Sequence, residues 1–133
     1  MPLVNVNLLK GRSTEEKDSI AASIQTALVS TLGVPEEDRY QLFNEYDAES
    51  FRHTSGFLGM TYTDQLLMIE ITFLVGRDDE QKKALLAAIN RNLVAAGVVG
   101  SDDVFVLITE IAGANVSFGR GLAQRTSTSR SAG

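Results

Sequence analysis

The chain has no cysteine, one histidine and two prolines, and nowhere do 18 apolar residues run together. Without cysteine there is no disulfide, no thiolate nucleophile and no sulfur-bound metal. His53 is the single imidazole and lies in a polar stretch, so neither a metal cluster nor a Ser-His-Asp triad is expected around it. The lack of a long apolar run leaves no membrane span, and the N-terminus lacks the basic-then-apolar pattern of a secretory signal. Basic residues are scarce too: 12 Lys and Arg face 17 Asp and Glu, a net charge of -5 that argues against a nucleic-acid binder. Gly119-Arg120-Gly121 does not have the phosphate-loop pattern. What remains is one domain over residues 1–125, expected to be cytoplasmic, followed by a serine- and threonine-rich tail (126–133) without an apolar anchor, expected to be flexible.

One of the prolines follows Met1 directly and opens the stretch Pro2-Leu3-Val4-Asn5-Val6-Asn7-Leu8-Leu9, in which apolar side chains recur near a period of two. Residues 3–9 therefore read as a strand. Pro2 at its start has two readings. It has no N–H for a sheet ladder, so it is tolerated as an edge residue. If Met1 is removed, it becomes a secondary amine that titrates near neutrality. An apolar pocket and nearby cations disfavour the protonated form, leaving a base or nucleophile at pH 7.

After this strand, Ser13 and Glu16 have the spacing of a capping box, and Ile20, Ala21, Ile24, Ala27 and Leu28 form one apolar stripe on a helix over residues 14–32. Gly33 and Pro35 end it, and residues 39–46 form a second strand, parallel to the first if the helix is a crossover. Residues 47–64 are irregular and aromatic, with a short strand or turn through 57–62, and fit a linker packed over the sheet edge. Then the opening returns. Residues 66–75 are strand-like, and Gly76-Arg77-Asp78-Asp79-Glu80-Gln81-Lys82 repeats Gly11-Arg12-Ser13-Thr14-Glu15-Glu16-Lys17 at an offset of 65. A second helix spans 79–95 with Leu85, Leu86, Ala88, Ile89 and Leu93 on its apolar face. Gly97 answers Gly33 at an offset of 64, Asp102-Asp103 answers Glu37-Asp38, and Val104 to Thr109 is matched to Tyr40 to Glu45 through one deletion near the helix.

A duplicated β-α-β unit (about residues 2–46 and 66–110) predicts an α+β fold: a two-layer sandwich with a four-stranded mixed sheet and both helices on one face. Apolar residues remain for the other face, read as Val4, Val6, Leu42, Ile69, Ile71, Val106 and Ile108 or their alternates. That face needs cover, so a homo-oligomer is expected, with three sheets around an axis as one solution. The glycine-rich stretch 113–121 reads as a loop or hairpin whose Phe118 is suited to wall a pocket.

Two turn arginines, Arg12 and Arg77, follow strands and precede helices, where guanidinium and backbone N–H groups converge on anions. Taken alone, each more commonly forms a solvated salt bridge. Asp38 and Arg39 open the second strand, and Asp38 fits either a proton acceptor or one more acid of the Glu36-Glu37-Asp38 turn. Tyr40, Tyr46 and Tyr62 are possible donors.

Taken together, Met1-Pro2, Gly11-Arg12-Ser13, Ile108-Thr109-Glu110-Ile111-Ala112 and the duplication resemble the tautomerase superfamily, in which methionine removal exposes an amino-terminal proline. Val34-Pro35-Glu36-Glu37-Asp38-Arg39-Tyr40-Gln41 and Ser117-Phe118-Gly119-Arg120-Gly121 resemble malonate semialdehyde decarboxylase and its relatives. The resemblance implies the tautomerase/MIF-like fold, a homotrimer, a small oxo acid as substrate and no metal or organic cofactor. It assigns Pro2 as the catalytic amine, Asp38 as the acid that assists it or activates water, and Arg77 as the carboxylate-binding residue. Arg39, Tyr40, Val75, Val116 and Phe118 are then candidates for contact with the substrate. Val75 stands where the decarboxylases carry a second arginine, and Val116 where they carry a tryptophan. The leading expectation is a cofactor-independent tautomerase of small 2-oxo acids, such as phenylenolpyruvate or 2-hydroxymuconate, with Pro2 as general base. The alternatives are a decarboxylase or hydratase of 3-oxo acids, and a non-enzymatic oligomer that retains the fold.

Overall fold

Even-numbered apolar residues and a capping box draw residues 2–32 into a strand and a helix, β1 (Pro2–Leu9) and α1 (Thr14–Leu32), and the computed structural model, which describes residues 1–126, shows both. Strand β2 (Tyr40–Tyr46) follows, then a two-stranded ribbon of β3 (Gly56–Phe57) and β4 (Met60–Thr61). The second unit is β5 (Leu67–Leu74), α2 (Asp79–Ala95) and β6 (Val104–Ile111). Both helices start with a closed capping box, Ser13 with Glu16 and Asp78 with Gln81, which satisfies backbone N–H groups that the first turn leaves over. The glycines before them, Gly11 at φ 119° and Gly76 at φ 129°, make the strand-to-helix turn in a conformation disfavoured for other residues.

The sheet order is β2-β1-β5-β6. Within each unit the strands are parallel, and β1 and β5 join the units antiparallel, so the sheet is mixed as expected. Val4, Val6, Leu8, Ile69, Ile71 and Phe73 pack under Ile20, Ile24, Leu28, Leu85, Ile89 and Leu93 in one core. Cross-bonds between the helices join Ser23 and Asn92, whose Nδ2 donates to the Ser23 carbonyl at 3.2 Å. Among the described residues, no helix is long and apolar enough to cross a membrane.

Three expectations are corrected. Pro2 is not an edge residue: β1 is an inner strand, with β2 on one side and β5 on the other, and Pro2 is its buried first residue. Of the residues assigned to the open face, only Leu42 lies there. Val4, Val6, Ile69 and Ile71 are in the core, and Val106 and Ile108 pack against it. The open face instead mixes apolar rims (Leu42, Phe105, Leu107) with a polar centre. There Asn44 Nδ2 donates to Asn5 Oδ1 at 3.0 Å, and Asn7 Nδ2 donates to Glu70 Oε1 at 3.1 Å. The offset between the strand pairs is also 65, not 64, since Leu3 lies opposite Tyr40 and Met68 opposite Phe105. A one-residue slip would turn Val106 and Ile108 away from the helices, so burial enforces the register. The second helix is shorter and the connection after it makes up the difference. The expected tail from residue 127 onward lies outside the described residues.

Candidate active site

Antiparallel pairing brings the start of β1 to the end of β5, with Pro2 opposite Phe73. Parallel pairing sets the start of β2 beside it, with Leu3 opposite Tyr40. The amino terminus, the turn before β2 and the turn after β5 therefore meet at one corner of the sheet, on which Pro2, Asp38 and Arg77 lie.

The amine there is that of Met1, and its nitrogen is 2.5 Å from Asp38 Oδ2. Both side chains are largely covered, with 7% of Met1 and 17% of Asp38 exposed. The Asp38 turn is clamped from α1 by Gln25, whose Nε2 donates to the carbonyls of Asp38 at 3.1 Å and Glu36 at 3.2 Å. Arg77 is half-buried. Its Nη2 donates to the Leu32 carbonyl at 3.3 Å, and its guanidinium carbon stands 6.0 Å from the centre of the Phe73 ring. Burial pulls the pKa of the terminal amine below the ordinary α-amino value. Asp38 opposes this through its hydrogen bond and its charge, while the charges of Arg125 and Arg77 act in the same direction as burial.

Beside the amine is a cavity of about 230 Å³ lined by Met1, Leu3, Tyr40, Val116, Ser117 and Phe118. The rings of Tyr40 and Phe118 are 6.3 Å apart and form two of its walls. Phe118 is set by Gln124, which accepts from the Phe118 N–H at 3.0 Å and donates to the Gly119 carbonyl at 3.1 Å. A larger hollow of about 370 Å³ lies elsewhere, on the open sheet face between Phe51, Met68, Phe105 and Leu107, away from the amine.

Of the residues singled out in the sequence, Pro2, Asp38 and Arg77 share the corner, while Tyr40, Val116 and Phe118 wall the cavity. Arg39 is exposed, and Val75, 48% exposed, gives its N–H to the Ile111 carbonyl at 2.9 Å; neither lines this cavity. His53 is exposed and takes part in a row of rings with Phe51 and Tyr62. Sequence reasoning missed two residues. Gln25, 2% exposed, is a polar side chain next to the apolar stripe of α1, a signal that was available. Arg125 lies past the repeat, in a stretch with no periodicity to place it.

Two family models described as tautomerase enzyme match the chain, one over residues 38–119 and one over residues 2–52. The chain is 32% identical to probable tautomerase YusQ of Bacillus subtilis (strain 168) over 124 residues, 93% of this chain and 98% of the relative. Its fold is similar to solved structures of malonate semialdehyde decarboxylase, at a TM-score of 0.85 with 27% identity, covering 91% and 93% of the two chains. It is also similar to FG41 malonate semialdehyde decarboxylase inhibited by 3-bromopropiolate, at 0.81 with 34% identity and 92% of each chain. A wild-type fused 4-OT solved as an asymmetric trimer superposes at 0.71 with 28% identity, over 90% and 92%. Both units are matched, one relative aligns nearly end to end, and the chain belongs to the tautomerase family.

Proposed function

We propose that the Pro2 amine, freed by removal of Met1, is the general base of a cofactor-independent tautomerase that interconverts the enol and keto forms of small 2-oxo acids. The observation that carries this reading is a buried amino terminus whose basicity is lowered at a corner shared by Asp38 and Arg77. An amine whose basicity is lowered by burial gives up its own proton more readily and so becomes available to accept one from substrate.

In this reading, Arg77 grips the substrate carboxylate and its charge offsets the negative charge that develops on the enolate. The Pro2 nitrogen takes the enol hydroxyl proton as the carbonyl forms, and the resulting ammonium returns a proton to carbon. Asp38 stabilises that ammonium between the two transfers. The apolar cavity between Tyr40 and Phe118 takes the rest of the substrate. The open sheet face, with Leu42, Phe105 and Leu107 exposed, meets the same face of other copies, and its likeness to the fused 4-OT trimer supports a homotrimer.

Asp38 beside the amine favours a second reading, decarboxylase or hydratase action on a 3-oxo acid, in which Asp38 assists while the protonated amine polarises the carbonyl. Retention of Met1 favours a third, a non-enzymatic oligomer, since the Met1 amine is then the one paired with Asp38 and Pro2 has no free amine. Intact mass spectrometry decides whether Met1 is removed. Ketonisation of phenylenolpyruvate by the demethionylated chain and by Pro2→Ala then tests the base, with an expected loss on the order of 10²-fold. Equal rates would sink the role of Pro2, and carbon dioxide release from malonate semialdehyde would favour the second reading.

A further inference from the structure

The segment after β6 brings a second guanidinium to the same corner. Gly113 lies two residues beyond Ile111, whose carbonyl accepts the Val75 N–H in the turn that carries Arg77. The backbone of Arg125 is pressed onto Gly113 so closely that a Cβ there would stand 2.0 Å from the Arg125 carbonyl oxygen and 2.7 Å from its carbon. Only a residue without a side chain permits this seat. The preceding residue, Gln124, is fixed as well, by its two bonds to Phe118 and Gly119 in the cavity wall. Arg125 is half-buried, with its Nε out of contact with solvent, and its charge reaches the terminal amine as that of Arg77 does. The duplication does not account for it. Arg77 answers Arg12, but Arg125 lies beyond the end of the second unit.

We propose that Arg125 is a substrate-binding residue, a second guanidinium that works with Arg77 to hold an acid with two anionic groups across the amine. The inference rests on the reading of that corner as the active site. Arg77 serves the carboxylate common to all substrates, and Arg125 discriminates a dianion from a monoanion. A half-buried guanidinium gains from a second carboxylate and nothing from a methyl group in its place. The chain thereby obtains a second cation from its C-terminal segment, although position 75 is a valine.

Two stable acids of nearly one shape test this: trans,trans-muconate, with a carboxylate at each end of a conjugated diene, and sorbate, with a methyl at one end. Calorimetric titration of the demethionylated full chain is expected to give muconate at least a tenfold tighter Kd than sorbate, on the order of one charged hydrogen-bonded contact. Arg125→Gln is expected to remove that preference while sorbate binding stays within about threefold. Arg125→Lys keeps part of it, and Gly113→Ala, which displaces the segment with the guanidinium chemistry intact, reduces it. Arg77→Gln weakens both acids. A wild type with no preference for muconate, or an Arg125→Gln chain that keeps the preference, overturns the proposal.

A pH profile gives an independent readout. The charged groups facing the amine are Asp38 ahead of β2, Arg77 behind β5 and Arg125, with Tyr40 as a further titratable group in the cavity wall. Loss of the Arg125 charge is expected to move the acid limb of kcat/KM to higher pH, and an unmoved limb counts against the proposal. Full activity of Pro2→Ala would instead defeat the general-base reading and leave the muconate preference as measured.

Discussion

Arg12 and Arg77 hold the same place in the two β-α-β units, as do Asp38 and Asp103, yet the two corners put these groups to different use. At the corner where β5 begins, the Arg12 side chain is 6% exposed and donates to the carbonyls of Val98 at 2.8 Å and Gln65 at 2.9 Å. Asp103 accepts from the Thr63 N–H at 2.8 Å and from the Thr63 hydroxyl. Both groups are occupied by the connection that leads into β5. At the corner where β1 begins, the residue entering the strand is Met1, and its amine is what faces Asp38. Among the described residues Arg77 donates to one carbonyl, that of Leu32, and a cavity opens beside the amine. One carboxylate and one guanidinium thus act as fasteners where a chain passes between them, and as a candidate catalytic pair where an amino terminus does.

Exchanging the two arginines for glutamine tests that difference most strongly. Arg77→Gln is expected to lower kcat/KM for a 2-oxo acid enol by about 10²-fold or more with Tm nearly unchanged, since a charge that stabilises the transition state is lost. Arg12→Gln is expected to leave kcat/KM within about twofold and to cost about 2 kcal/mol of stability, because two carbonyls lose a charged donor. If Arg12→Gln proves the more damaging to turnover, the two corners do not divide in this way.

The aspartates give a smaller contrast, seen best against pH. Asp38 raises the basicity of the terminal amine through its hydrogen bond and its charge. Asp38→Asn removes that support, the amine loses its proton at lower pH, and the acid limb of kcat/KM moves down, opposite in sign to loss of Arg77. Kinetic profiles of the demethionylated chains measure the shift, and movement in the same direction for both variants would contradict it. Asp103→Asn is expected to leave the profile in place and to cost about 1–3 kcal/mol in urea unfolding, since two donors of Thr63 lose a charged acceptor.

The features legible in the sequence are those set by neighbours along the chain. The capping boxes, the helix bounds and the duplication depend on spacings of a few residues, and each helix spans the residues its pattern predicted. What escaped was set across the chain. Alternation predicts that β1 has two faces but not which face meets the helices, and Val4 and Val6 went to the wrong one for that reason. The register of β6 depends on burial of Val106 and Ile108, a tertiary condition that outweighs the offset counted from Gly33 and Gly97. The site divides the same way. Pro2 opens the first strand and Asp38 and Arg77 lie in recognisable turns, whereas the Gln25 clamp and the Arg125 seat on Gly113 join residues that no local pattern links.

The mildest test lies where the two units behave alike. Lys17 Nζ reaches Glu45 Oε2 at 3.3 Å, and Lys82 Nζ reaches Glu110 Oε1 at 3.0 Å, so each helix is tied to the second strand of its own unit by an equivalent ion pair. Neither pair touches the amine. The hydrogen bond to Glu110 holds the Lys82 pKa above the usual lysine value. A lysine whose pKa is raised on folding contributes stability that is complete below its unfolded value of about 10.4 and is lost as pH rises through the folded one. Lys17→Met and Lys82→Met are therefore expected to lower Tm slightly and by similar amounts at pH 7, with kcat/KM unchanged. For Lys82→Met the difference from wild type should fade only in strongly alkaline solution. Ion pairs near the surface contribute little, which makes these a sensitive control: a loss of turnover in Lys82→Met alone would extend the catalytic corner to the Lys82–Glu110 pair.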